Sequence, residues 1–237
     1  MRRAKQIIYG AFYLIILFGL FTLFYWKFLK PAPPAPCTGC LPSDIQPIAA
    51  VGPVRVFVPA LGHAALLAQI ANVNSNAAAA SFDYTITVYN ASGTVLVTAP
   101  GTAFAYPDET KYIVLPNEAV SEMPDHAEIT VANVRWVASS TSGPAPQFTI
   151  KNVATAPISG SSSTLSVQGD ITDDDNAAFS HILVIAVFKD QYGSTAGVSQ
   201  TILDAINPQQ TEHFSVSYPA EPDFDLSATE VHAYAWR

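Results

Sequence analysis

Hydrophobic and polar positions follow two different patterns along this chain of 237 residues. Close to the N-terminus, residues 7–26 read IIYGAFYLIILFGLFTLFYW and carry no charged side chain. A helical segment of this length covers about 30 Å, which is the thickness of the hydrocarbon core of a bilayer. We therefore predict a transmembrane helix over residues 7–26, with the lipid bilayer as its partner.

After residue 47 the pattern changes to short apolar stretches separated by clusters of Gly, Pro, Asn, Asp and Ser. The stretch FDYTITVYN alternates residue by residue and places Phe82, Tyr84, Ile86 and Val88 on one face. Such alternation is typical of strands with one buried face, and no long helical period interrupts it. The pattern predicts a mainly β fold built from antiparallel β-sandwiches.

Two parts of this β region share one frame, with a spacing of about 100 residues. LLAQIANVNSNAAAASFDYTITVYNASGTVL can be laid over LSVQGDITDDDNAAFSHILVIAVFKDQYGST. The positions that coincide are Gln69 and Gln168, Ile86 and Ile185, Gly93 and Gly193, Pro107 and Pro208, Thr110 and Thr211, and Trp136 and Trp236. We predict two tandem sandwiches over residues 47–138 and 148–237, joined by the linker SSTSGPAPQ at residues 139–147.

The first copy also carries the motifs of a known family. Its loop Asn72-Val73-Asn74 is followed by a strand that ends at Tyr89-Asn90 and by a turn with Gly93. This arrangement resembles FxLYD-type domains and the late-embryogenesis type 2 fold, and the second copy matches it with Phe188, Lys189, Asp190 and Gly193. With its apolar N-terminal segment, the chain resembles hypothetical membrane proteins of candidate phyla bacteria. The resemblance implies seven-strand, immunoglobulin-like sandwiches and implies no catalytic residue.

Charge divides the chain near residue 30. The first 30 residues hold five bases and no acid, whereas the remainder holds all 19 acids and six bases, a net charge of −13. An acidic body argues against nucleic-acid binding.

Three bases precede the apolar span, which places residues 1–6 in the cytoplasm and the C-terminal domains outside the cell membrane. A cleaved signal peptide would need a shorter apolar region and a small-residue cleavage site, and KFLKPAPPAPC offers none.

Residues 27–46 form a juxtamembrane spacer that contains the proline-rich stretch PAPPAP and both cysteines, Cys37 and Cys40. Prolines at this density favour an extended, stiff conformation. A redox Cys-x-x-C pair belongs at the start of a helix in a βαβ unit, and a zinc site needs two further ligands. Cys37 and Cys40 are therefore disulfide candidates, either as a local loop or as a cross-link to a second copy.

One acidic run, DITDDDNAAFS, precedes the most apolar strand of the second copy. Its four carboxylates could approach the six to eight oxygen ligands that Ca²⁺ needs, although their spacing is not that of an EF-hand. In the first copy the same place carries Asn and Ser, which form turns as readily as Asp. A connecting loop is thus the alternative to a calcium site formed by Asp170, Asp173, Asp174 and Asp175.

Catalytic motifs are missing from the sequence. No two of the five histidines are spaced as a local metal pair, and no nucleophile elbow, dinucleotide fingerprint, Walker loop or zincin motif occurs. The sequence predicts no enzyme and no cofactor, but a membrane-anchored scaffold or protein-interaction module of the bacterial cell envelope. The alternatives are a carbohydrate- or surface-binding module that exposes Trp136 or Trp236, and an extracytoplasmic enzyme with a catalytic cleft. The histidines are His63, His126, His181, His213 and His232.

Overall fold

The computed structural model describes residues 17–19, 21, 41, 44–158, 164–219 and 224–236. Most of the predicted membrane span, together with Cys37 and Cys40, lies outside these residues, and residues 17–19 and 21 are helical. Within the described part of the chain, no helix has the length and apolar character needed to cross a membrane. The chain forms two compact units, Met1–Thr38 and Gly39–Arg237, and the second of them contains both repeats.

This second unit is built almost wholly of strands, which confirms the mainly β prediction. The strands of the first repeat are β1 (Ala49–Ala50), β2 (Arg55–Ala60), β3 (His63–Ala71), β4 (Ala77–Tyr89), β5 (Val95–Ala105), β6 (Thr110–Ala119) and β7 (His126–Ala138). A one-turn helix, α1 (Ser139–Ser142), follows them. The strands of the second repeat are β8 (Phe148–Pro157), β9 (Thr164–Asp173), β10 (Phe179–Asp190), β11 (Thr195–Ile206), β12 (Thr211–Pro219) and β13 (Phe224–Tyr234).

The strands form four antiparallel sheets, two in each repeat. In sheet A, β1 and β2 pair with one edge of β3 and β6 pairs with the other, and sheet B has the order β5-β4-β7. Sheet C, with the order β12-β9-β8, repeats sheet A, and sheet D, with the order β11-β10-β13, repeats sheet B. The duplication seen in the sequence therefore extends to topology. Among the described residues the first repeat has seven strands, counting the two-residue β1, and the second repeat has six.

The hairpin between the fourth and fifth strands is built identically in both repeats. Gly93 and Gly193 have φ values of 80° and 78°, a conformation that glycine adopts without steric cost. The side-chain oxygen of Asn90 accepts hydrogen bonds from the amides two and four residues later. Asp190 does the same in the second repeat. These turns explain why Asn and Asp alternate at this position of the frame.

The core of the first repeat follows the predicted alternation in β4. Phe82, Tyr84, Ile86 and Val88 are each at most 9% exposed and pack with the inner face of sheet A. Burial of such side chains contributes about 1.5–3 kcal/mol each and is the main stabilisation of the sandwich. The alternating face predicted from the sequence is thus confirmed.

The two repeats pack directly on each other. Along β3, Leu66 and Ile70 face the core of the first repeat, whereas Ala65 and Leu67 join the core of the second. Sheet A lies against sheet D, so both faces of β3 are buried. The first residues of the predicted linker also pack, since Ser139–Ser142 forms α1 and Ser142 is buried.

Hydrogen bonds at one turn correct the predicted register of the two repeats. The Asn72 amide donates to Glu109 O, and the Asp173 amide donates to Gln210 O at the matching turn. The side chains of Asn72 and Asp173 each accept the amide two residues later. Asn72 therefore corresponds to Asp173, and by the same offset Gln69 corresponds to Asp170 rather than to Gln168.

The predicted match of Ile86 with Ile185 is also wrong. Ile86 pairs with Ala99 across the β4–β5 hairpin, and the residue at the same place in the β10–β11 hairpin is Ala186, which pairs with Ser199. The bulge between Ala79 and Phe82 of β4 has no counterpart in the pairing of β10 with β11. Because such a bulge adds a residue to one strand, the offset between the repeats changes along the frame.

Candidate interaction surface

The four acids of the candidate calcium site do not converge on one point. Asp173 is fully buried, and its Oδ1 accepts the amide of Asp175 at 2.9 Å. Asp175 in turn accepts the amide of Gln147, and Asp174 accepts the hydroxyl of Thr149. The last two contacts fasten the β9–β10 loop to the start of β8. The run is thus a connecting loop whose carboxylates serve as turn and capping acceptors.

Asp170 lies apart from the loop, on the exposed face of sheet C. Its carboxylate accepts a hydrogen bond from Asn152 at 2.7 Å and contacts His213 Nδ1 at 3.2 Å. The bond from Asn152 and then the one from His213 lower the pKa of Asp170. Within the described ranges, no group of three or more His, Cys, Asp or Glu side chains is placed to hold a metal ion.

The two tryptophans of the repeat frame occupy different environments. Trp136 packs against the core of its own repeat. Trp236 instead lies on two aromatic rings of the first repeat, with ring centroids 5.3 Å from Phe104 and 4.7 Å from Tyr106. Both indoles are half-buried. Neither belongs to an exposed aromatic row of the kind that stacks on sugar rings.

A cluster of apolar side chains is exposed at one end of the first repeat. Leu61 is 99% exposed, Met123 is 72% exposed and Val58 is 37% exposed. With Val120 and Pro124 they line a pocket of about 280 Å³, and we call these five residues the apolar tip. Single exposed apolar residues are ordinary, whereas several around one concavity are typical of a binding surface.

Two neighbouring turns position the apolar tip. Leu61 lies in the hairpin between β2 and β3, where Gly62 has a φ of 80° and its carbonyl accepts the amide of Val120 at 2.9 Å. Met123 lies in the turn between β6 and β7. That turn is fastened to the β4–β5 hairpin, because Asn90 Nδ2 donates to Glu122 at 2.7 Å. The tip is therefore held in place before any partner arrives, which lowers the entropic cost of binding.

Glu122 lines the pocket of the apolar tip, and three further acids lie within five residues of Met123 in the sequence. Residues 56–66 and 117–128, which form this end of the repeat, contain no Lys or Arg. The nearby acids are Glu118, Glu122, Asp125 and Glu128. Asp125 also contacts His126 Nδ1 at 2.9 Å, and the His126 ring stacks on Tyr89 at 5.0 Å. The tip thus combines an apolar centre with a negative rim.

The sequence pattern did not single out Leu61 or Met123. A signal was nevertheless present, because both are large apolar residues inside turn segments, PALGH and SEMPD, where polar residues are usual. Each residue taken alone is ordinary, and only the fold brings the two turns to the same pocket.

No known family model matches the chain, and a search of curated proteins found no match. The crystal structure of red sea bream transglutaminase is similar with 10% identity, covering 78% of this chain and 31% of that one, at a TM-score of 0.23. An FMN-binding beta-glucuronidase from Facaelibacterium prausnitzii L2-6 is similar with 12% identity, 74% and 30% coverage and a TM-score of 0.22. The chain spans about a third of each of these proteins. The low identities and TM-scores support no conclusion about the fold or function of this chain.

Proposed function

We propose that this chain is a membrane-anchored, non-enzymatic interaction module of the bacterial cell envelope that binds a protein partner through the apolar tip. Residues 7–26 anchor it as a single transmembrane helix with residues 1–6 in the cytoplasm. The β unit stands outside the membrane as two immunoglobulin-like sandwiches of the FxLYD type. The observation that carries the proposal is the exposed pair Leu61 and Met123 at one rigid pocket.

The composition of the tip defines the chemistry of the partner. A pocket of about 280 Å³ with apolar walls accepts one or two apolar side chains of the partner. The acidic rim then favours Lys or Arg beside those side chains and speeds the encounter. We therefore propose a partner segment that presents an apolar residue flanked by bases.

Other features of the β unit support binding of a protein rather than of a sugar. Trp136 and Trp236 are packed against other rings and core side chains, which disfavours the carbohydrate-binding alternative. The two repeats share one packed interface, so the unit presents its turns as a single body. A body of this kind suits a scaffold that holds a partner at a fixed position.

Photo-crosslinking at the tip tests this proposal. A photoreactive amino acid placed at position 61 or position 123 of the full-length protein, in its native membranes, should trap the same protein at a fixed stoichiometry. The yield should fall as the ionic strength rises, because salt screens the attraction between the acidic rim and the bases of the partner. Crosslinked peptides identified by mass spectrometry should contain Lys or Arg next to an apolar residue.

Matched positions elsewhere on the unit provide the control. Val73 and Ile202 are 59% and 57% exposed and lie away from the tip, so the same probe there should not trap that protein. A second variant, Leu61→Asp, should abolish capture by the probe at position 123. Equal capture at all four positions, or capture that Leu61→Asp leaves unchanged, would show that the tip is not the binding surface.

A further inference from the structure

A lysine is buried beside the junction of the two repeats. Lys111 of β6 is 3% exposed, and its Nζ lies 3.3 Å from the centroid of the Phe104 ring. Its distance to the centroid of the Tyr234 ring, which belongs to the second repeat, is 4.7 Å. No described residue forms a hydrogen bond or an ion pair with this ammonium. Buried lysines are rare, and one whose ammonium lies against two aromatic rings needs a physical reason.

Lys111 lines a pocket of about 200 Å³ between the repeats. Gln200 of β11 lines the same pocket, and its Oε1 is a buried acceptor without a hydrogen-bond partner among the described residues. The remaining wall includes the apolar side chains of Ile113, Val114 and Leu183 and the hydroxyl-bearing side chains of Tyr84, Thr102 and Tyr112. The pocket thus offers one cation, one free acceptor and an apolar surface, which is the usual make-up of a small-molecule site.

These groups select the chemistry of a ligand. One ammonium balances one carboxylate, whereas a phosphate group would bring nearly two negative charges. Gln200 Oε1 can only accept, so the ligand must also carry a donor. A hydroxyl meets this need, whereas an ammonium on the ligand would be repelled by Lys111. The apolar wall favours a short hydrocarbon body.

We propose that the pocket lined by Lys111 and Gln200 binds a small hydroxy carboxylic acid. The carboxylate pairs with the Lys111 ammonium, the hydroxyl donates to Gln200 Oε1, and the hydrocarbon part packs on Leu183 and Val114. Thr102 lines the pocket and is exposed to solvent, so a ligand can enter the pocket on the side of Thr102. Burial lowers the pKa of Lys111 to about 8, against the opposing effect of Glu109, and a bound carboxylate would favour the charged form.

Calorimetric titration of the full-length protein in detergent tests the site with three matched probes. 2-Hydroxy-4-methylpentanoate carries both groups, 4-methylpentanoate lacks the hydroxyl and 4-methylpentane-1,2-diol lacks the charge. The hydroxy acid should bind about tenfold more tightly than the plain acid, since the latter leaves Gln200 unpaired. The diol should not bind measurably.

Three variants connect binding to these residues. Lys111→Met keeps the packing and should weaken binding of the hydroxy acid at least about tenfold. Lys151→Met removes an exposed lysine of β8 and should leave binding unchanged. Gln200→Leu should reduce the hydroxy acid to the affinity of the plain acid. Absence of binding up to about 10 mM, or equal binding by wild type and Lys111→Met, would overturn the proposal.

Discussion

Replacing Asn72 with alanine is expected to lower the melting temperature of the chain by about 6–12 °C. Asn72 is 1% exposed and its side chain makes four hydrogen bonds. Its Nδ2 donates to the carbonyls of Ala77 and Tyr106, both at 2.8 Å. Its Oδ1 accepts both the backbone amide and the side-chain amide of Asn74. Removing it leaves several buried polar groups without partners, and we expect a loss of about 3 kcal/mol.

Tryptophan fluorescence during heating measures this loss, because Trp136 pairs with Ala79 close to the same loop. Val73→Ala is the control, since Val73 is the neighbouring residue and is 59% exposed. Asn72→Asp separates hydrogen bonding from packing, because a carboxylate keeps the size but cannot donate to the two carbonyls. We expect Asn72→Asp to be destabilising as well. A melting temperature for Asn72→Ala within the spread of the Val73→Ala control would contradict the role given to this network.

The sequence predicted those parts of the fold that depend on local pattern. Alternation in β4 identified its buried face, and the turns at Gly93 and Gly193 were placed correctly because their chemistry is local. The duplication was visible for the same reason. The register between the repeats was not predicted, because β4 contains a bulge between Ala79 and Phe82 that the pairing of β10 with β11 lacks. Alternation alone does not show such an inserted residue.

The sequence analysis also did not predict that the two repeats pack on each other. The run HAALLAQIA in β3 is apolar on both faces, which indicates burial from two sides. The two-sided burial arises because sheet D lies on the outer face of sheet A, through contacts such as that of Leu67 with the second core. Such contacts join residues that are far apart in the sequence, and no local rule predicts them. The apolar tip and the Lys111 pocket were missed for the same reason.

Replacing Lys111 with methionine is expected to stabilise the protein at pH 7. The interval from the ordinary lysine pKa of 10.5 to about 8 corresponds to a burial cost of at most about 3 kcal/mol. The cation–π contacts with Phe104 and Tyr234 favour the charged form and offset part of that cost. Methionine fills a similar volume without a charge, so we expect a gain of about 1–2 kcal/mol.

The gain from Lys111→Met should shrink as the pH rises. Below about pH 8 the lysine is charged in both states, and the folded state bears the full burial cost. Between pH 8 and about 10 the unfolded chain still holds this proton while the folded chain has released it, so the wild type gains stability with pH. The titratable groups that face Lys111 are Glu109, Tyr84, Tyr112 and Tyr234. Burial raises the pKa of Tyr84 and raises that of Tyr234 to about 12, so these two tyrosines lower stability only above about pH 10, equally in both proteins.

Melting temperatures of wild type and Lys111→Met between pH 7 and about 9.5 measure this convergence. Lys151→Met is the matched control, because Lys151 is exposed and its removal should produce neither the gain at pH 7 nor a change with pH. A difference between wild type and Lys111→Met that stays constant over this range would show that the ammonium is not desolvated in the folded chain. A difference that closes towards the upper end of the range would establish that the folded protein holds a partly desolvated lysine charge at neutral pH. A stabilised Lys111→Met variant would also separate the two roles of the lysine, because any loss of hydroxy-acid binding in it could not be attributed to unfolding.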